Sequence, residues 1–237
     1  MSSQPTGPVT PGRRYSTFVG IVFLTLIGIA TLNTIRTRDA GLLGAGTGDR
    51  GMPLPEFAVP NARTGPLNKD ANITQDDCET SQNPCPSGAQ RTPACRIEVR
   101  GAIRVCDLFD RPLVLSFWFT KSGPLGGDAD CVVAQDVMDR VARRYGGRVN
   151  FLSIDIRDDP DEVHRIVEER GWRMPVGYDR DGAVSDLYRI GACPTLAFAY
   201  PGGILDFATI GELSARALDR DVRRLLAQSR RRASKAR

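Results

Sequence analysis

The chain has 237 residues, 41% of them apolar and 25% charged, which is enough for one ordinary domain with a real core plus appendages. A net charge of only +4, with no basic-aromatic patch, argues against a nucleic-acid partner. The single histidine, His164 in DPDEVHRIVEER, reads as an exposed helix residue, which argues against a His-based triad or a His-ligated metal.

Residues 1–14 read as a Pro/Ser/Gly-rich cytoplasmic tail. Tyr15 to Ile35 carries no charge over 21 residues. As a helix, that length crosses a hydrocarbon core of about 30 Å. It exceeds the h-region of a cleaved signal peptide, so the reading is an uncleaved single-pass transmembrane anchor at 15–35. Arg13 and Arg14 before it favour a cytoplasmic N-terminus, although Arg36 and Arg38 beyond it weaken that vote. The six cysteines add the missing argument, since an even number in a loop-rich chain suits disulfides in an oxidising, extracytoplasmic compartment.

Residues 36–51 are expected as a flexible glycine-rich linker and 52–228 as the folded domain. Within it, 61–102 is a polar, cysteine-bearing insertion. From Ile103 the texture changes. LVLSFWF (113–119) is a continuous apolar run, as in a strand covered on both faces. Residues 128–145 place Val133, Ala134, Val137, Met138, Val141, Ala142 and Tyr145 at helical spacing. VNFLSIDI (149–156) is a second buried strand, 159–171 a helix opened by acids and closed by glycine, and 181–190 a shorter helix. Strands at 195–200 and 204–209 form a hairpin about PGG, and 212–228 is the closing amphipathic helix, followed by a basic tail at 229–237. This order implies a mixed sheet: a parallel pair extended by an antiparallel hairpin, with helices on both faces.

PLVLSFWF, the helix after it, VNFLSIDIRDDPDEV, IGACPTLAFAYPGGIL and the terminal GELS helix resemble the TlpA-like redoxins of the thioredoxin-like superfamily. MPLPEF (52–57) resembles the short Pro-x-Phe segment that leads into that family's domain. The resemblance covers 103–228 well, 52–60 loosely and 61–102 hardly at all. It implies a thioredoxin-like α/β fold, membrane-tethered and extracytoplasmic. It also implies a Cys-x-x-Cys pair opening the helix after the Phe-Trp strand, faced by a cis-proline, here Pro194.

The chain departs from the family at that pair. Counted forward from Trp118, Ser122-Gly-Pro-Leu125 occupies its place, with both sulfurs gone; counted back from Tyr145, Asp128-Ala-Asp-Cys131 does, with the second sulfur kept. Pro124, Gly126 and Gly127 do not sit comfortably inside a helix, whereas Asp128 is a good N-cap, so the backward register is preferred. Cys131 then lies in the first helical turn, where the dipole lowers a thiol pKa while Asp128 and Asp130 raise it. In the resembled fold, the residue before the cis-proline lies against that helix start. The resemblance therefore implies a non-contiguous redox pair, Cys131 as the reactive sulfur and Cys193 as the resolving one, with Pro194 and Thr195 as the substrate platform. Trp118 reads as core.

Cys78, Cys85, Cys95 and Cys106 lack the paired C-x-x-C spacing of structural zinc. Two structural disulfides pinning the insertion are the expected reading, with three connectivities open. No metal and no cofactor is expected. The leading function is extracytoplasmic thiol-disulfide oxidoreduction on protein thiols or disulfides, with room for a membrane electron donor. A peroxiredoxin-like peroxidase is the alternative, although Asp128 stands where that chemistry needs a hydroxyl. A non-catalytic thioredoxin-like binding module is the other.

Overall fold

The computed structural model describes residues 19–29, 50–64, 73–74, 93–96, 98, 100–120, 130–211 and 213–235. The chain divides into two compact units, 1–40 and 41–237. In the first, residues 19–29 form helix α1, with eight large apolar side chains exposed, among them Phe23, Leu24 and Leu26. No helix among the described residues is long and apolar enough to cross a membrane.

The second unit is built on a five-stranded sheet. Its strands are β4 (Leu113–Trp118), β5 (Asn150–Ile156), β6 (Val176–Asp179), β7 (Thr195–Tyr200) and β8 (Ile204–Ile210), in spatial order β6-β5-β4-β7-β8. β4, β5 and β6 run parallel, and β7 and β8 are antiparallel to their neighbours. Around the sheet lie α2 (Asp130–Tyr145), α3 (Pro160–Arg170), α4 (Ala183–Tyr188) and α5 (Ala215–Lys235). A smaller antiparallel sheet joins β1 (Phe57–Pro60) to β2 (Ile73–Thr74) on one side and β3 (Ala102–Arg104) on the other.

β4 is buried at every position, which is why its sequence is apolar throughout rather than alternating. Alternation reappears in what each face touches. Val114 and Trp118 join Phe151, residues of α2 such as Met138 and Val141, and Leu218, Val222 and Leu225 of α5. Leu113, Leu115 and Phe117 pack on the opposite side with Phe57, Val59, Leu152, Ile154 and Tyr188. α3 is capped by its own sequence: Asp159 accepts from the Asp161 and Glu162 amides, Pro160 opens the first turn, and Gly171 closes it in the left-handed region.

Four features depart from the sequence expectation. β6 makes the parallel set three strands rather than two; it is only four residues long, and Pro175 and Gly177 break any apolar run. Gly177 is required there because a Cβ would enter the Val59 side chain, where β1 crosses and Asn61 bridges to Gly177. The insertion contributes β2, a short 3-10 turn at Ala94–Arg96 and the first residue of β3, which its polar composition does not announce. α5 runs to Lys235, so residues 229–235 are helical rather than a tail, with Ser229 buried and donating to the Leu225 carbonyl. His164 is half-buried rather than exposed, its Nδ1 2.7 Å from the Ala62 carbonyl oxygen.

Replacing Gly177 by alanine is expected to lower unfolding free energy by about 1–3 kcal/mol, because the added methyl forces the β1–β6 contact apart. Urea unfolding measures it, and an unchanged midpoint would show that this contact yields freely.

Candidate active site

The C-terminal end of β4 and the N-terminal end of β7 meet through the antiparallel pair Phe117↔Thr195. β4 ends at Trp118, and α2 begins at Asp130 with Cys131 in its first turn. The chain reaches β7 through Cys193 and a cis peptide bond to Pro194. Cys131 and Cys193, 62 positions apart, form a disulfide with a Cα separation of 5.7 Å. Cys131 is 2% exposed and Cys193 is half-buried.

Pro194 and Thr195 are both buried. The Pro194 carbonyl accepts from the Gly211 amide at 3.2 Å, and the Thr195 hydroxyl donates to the Ala192 carbonyl at 2.6 Å. These residues shape the bend, and Ala192 and Cys193 lie nearer its surface. Asp128, Cys78 and Cys85 lie outside the described residues. Cys95 and Cys106 are bonded to each other, Cα atoms 5.9 Å apart. They tie the 3-10 turn at 94–96 to the segment after β3, where Arg104 pairs with both carboxylate oxygens of Asp107 at 2.9 and 3.0 Å. The Glu56 carboxylate lies near both sulfurs and accepts from the Cys95 amide at 3.3 Å. With the sulfurs joined, neither is a thiolate ligand.

Polar residues missed by the sequence reading lie behind the disulfide. On the α2 side of the sheet, Ser116 is level with Ser153, and Trp118 with Asp155. Gln135, one helical turn beyond Cys131, bridges the two serines: its amide donates to Ser116 Oγ at 3.1 Å, and Ser153 Oγ donates to its carbonyl at 2.8 Å. All three are fully buried, so the bridge satisfies polar groups that would otherwise be costly. Trp118 is core as expected, its ring meeting Trp172 edge-on at 5.4 Å.

Asp155 and Asp158 are buried beside the point where β4 ends. Asp158 accepts from the Thr120 amide at 2.5 Å, and its own amide approaches Asp155 Oδ1 at 3.3 Å. Burial first, and the neighbouring Asp158 charge second, push the Asp155 carboxyl well above the usual carboxylate range. A signal for this acid exists in the sequence, because Asp155 is a carboxylate inside the otherwise uncharged run VNFLSIDI.

A mixed sheet whose central strand leads to a cysteine-bearing helix start, cross-linked to the residue before a cis-proline, is a thioredoxin-like fold. Comparison with known proteins agrees. The thiol-disulfide oxidoreductase ResA of Oceanobacillus iheyensis is 26% identical over 116 residues, covering 48% of this chain and 57% of that protein. The chain thus spans little more than half of that relative's length. No protein-family model matches. A solved chain described as a thiol:disulfide interchange protein DsbE from Chlorobium tepidum superposes with a TM-score of 0.54 at 15% identity, covering 75% of this chain and 98% of that one. A DsbF homologue from Corynebacterium diphtheriae gives 0.50 at 15% identity, covering 78% and 91%. At these identities the structural likeness is one of fold. The solved structures thus show a thioredoxin-like fold, and the sequence is similar to that of a thiol-disulfide oxidoreductase.

Because Asp155 holds its proton more tightly in the folded chain than in the unfolded one, the unfolded chain ionises first as pH rises. Stability is then lost from about pH 4 upward, until the folded carboxyl itself ionises. Asp155→Asn mimics the protonated form and is expected to escape this loss. Its stability relative to the native chain should grow with pH in urea titrations; a difference that stays constant would refute the assignment.

Proposed function

We propose that the chain is a thiol-disulfide oxidoreductase acting on protein thiols or disulfides through Cys131 and Cys193. The disulfide between them beside Pro194 carries this reading. The similarity to ResA, a thiol-disulfide oxidoreductase by name, supports it. In the oxidising direction, a substrate thiolate attacks one sulfur of the pair and the other leaves as thiolate; a second substrate thiolate then resolves the mixed disulfide, leaving the substrate oxidised and the pair reduced. The reducing direction runs the same steps backward. Exposure favours Cys193 as the sulfur a partner meets, and the first turn of α2 favours Cys131 as the departing thiolate, because unpaired amides and the helix dipole stabilise negative charge there. This order exchanges the two roles expected from the sequence. Exposed Val133 on α2 and Ile210, level with Thr195, add apolar surface suited to a protein partner.

The same reading puts the domain outside the cytoplasmic membrane, on a single-pass anchor at 15–35. The uncharged 21-residue stretch and the exposed apolar side chains of α1 support it, as do cysteines that are all joined among the described residues. A membrane electron donor then becomes accessible to the pair.

Cys131→Ser is expected to accumulate mixed disulfides through Cys193, and Cys193→Ser to accumulate few. Each should lose insulin reduction. Trapping followed by non-reducing electrophoresis reads both. Undiminished turnover in the double variant would remove the redox function and leave a binding module.

A further inference from the structure

α5 carries eight basic side chains, all exposed, against two acids, a net +6 in a chain whose total is +4. The rest of the protein is therefore slightly acidic, and the positive charge is concentrated on one helix. Arg216, Arg220, Arg223 and Arg230 recur at intervals of 4, 3 and 7 and share one stripe about 21 Å long. Like charges at such spacing repel by a few tenths of a kcal/mol in an isolated helix, which the pairs Arg220–Asp221 at 3.3 Å and Arg223–Asp219 at 2.6 Å offset in part.

Beside this stripe, a cleft of about 420 Å³ opens between α5 and the end of α2. Arg144 and Arg148 line it from the α2 side and Arg223 and Arg230 from α5. Asp219 supplies the single carboxylate among the lining residues. It is already shared: Arg223 pairs with it at 2.6 Å, Arg144 approaches to 3.9 Å, and the Tyr145 hydroxyl donates to it at 2.8 Å. Arg148 stacks over the Tyr145 ring at 5.0 Å and donates to the Arg144 carbonyl at 3.1 Å, which holds the α2 side of the cleft in place. Four guanidinium groups around one carboxylate leave a net +3, in a geometry suited to the oxygens of a phosphate.

We propose that the cleft and the α5 stripe dock on the phosphate headgroups of an anionic bilayer. The proposal rests on the anchor reading above, because an anchored chain keeps this surface near lipid: sixteen residues between anchor and domain span at most ~55 Å. Charge complementarity chooses the occupant. An anionic leaflet presents phosphates in an array that meets the stripe along its length and fills the cleft, and each basic group near such a surface adds to the attraction. An acidic protein is the competing occupant.

The test uses the full chain with liposomes of phosphatidylcholine alone, or of an equimolar mixture with phosphatidylglycerol, reading flotation and hydrogen exchange of α5. Exchange in α5 should slow about tenfold on the mixed liposomes. The slowing should disappear in Arg148→Gln/Arg223→Gln/Arg230→Gln and persist when lysine replaces the same three arginines, with insulin reduction unchanged in both variants. Equal exchange on both lipids would overturn the proposal and leave an acidic protein as the partner of the stripe. Equal slowing by inorganic phosphate added to phosphatidylcholine liposomes would overturn it in favour of a small anion. Flotation separates this from the anchor: a chain that leaves phosphatidylcholine liposomes lacks the anchor, yet phosphatidylglycerol-dependent flotation that requires the three arginines would still support docking.

Discussion

The register between β4 and β7 is the constraint from which the site follows. β4 is paired in parallel with β5 on one side and antiparallel with β7 on the other. Because the directions oppose, the end of β4 and the start of β7 fall at one edge of the sheet, with Phe117 level with Thr195. The start of α2 and the bend before β7 then lie side by side, as the Cys131–Cys193 bond records. A slip of one residue would turn Trp118 away from the α2 side and Phe117 toward it, exposing the whole apolar pattern of β4 to the wrong layer. Both faces of the strand are buried, so such a slip is strongly penalised. The meeting of Cys131 with Cys193 is therefore set by packing remote from either sulfur.

The same edge collects charge that the core would not otherwise tolerate. Asp155 lies on the face occupied by Trp118, and Asp158 follows where the chain turns toward α3. An isolated buried carboxylate is so costly that the group gains a proton instead, and a second acid beside it pushes in the same direction. With Asp155 protonated, the pair bears at most one negative charge, and Asp158 can accept from the Thr120 amide, the last backbone donor described before the segment leading to α2. Backbone position at the mouth of the site is thus tied to the protonation of an acid beneath it.

The long-range outline was legible because it rests on continuous apolar runs and strong caps. LVLSFWF, VNFLSIDI, the Asp159-Pro160 helix start and the PGG turn each specify one element locally, and the structure keeps all four. What escaped was whatever depends on tertiary contact alone. β6 is short and broken by glycine, and its glycine makes sense only once Val59 is seen against it. β1 and β3 are strands because they find each other, not because their sequences insist on it. The thioredoxin-like resemblance indicated where a second sulfur could lie, at Cys193, but no spacing in the sequence encodes that meeting. Gln135 reads as one polar residue on an apolar helix until Ser116 and Ser153 appear opposite it.

Replacing a contiguous pair by one 62 positions apart changes how redox state and folding are linked. In the chain-entropy account, a cross-link closing a loop of four residues stabilises a fold by about 2 kcal/mol, and one closing some sixty residues by about 4 kcal/mol. Reduction of Cys131–Cys193 therefore withdraws roughly twice as much from the folded domain as opening a Cys-x-x-Cys would. A domain that cycles through the reduced form has to be held together without this cross-link. The described structure provides for that in three ways: cores on both faces of the sheet, the separate Cys95–Cys106 bond under the small sheet, and the Ser116–Gln135–Ser153 bridge fastening α2 to β4 and β5. That last contact lies one turn from Cys131. It holds the start of α2 against the sheet independently of the disulfide.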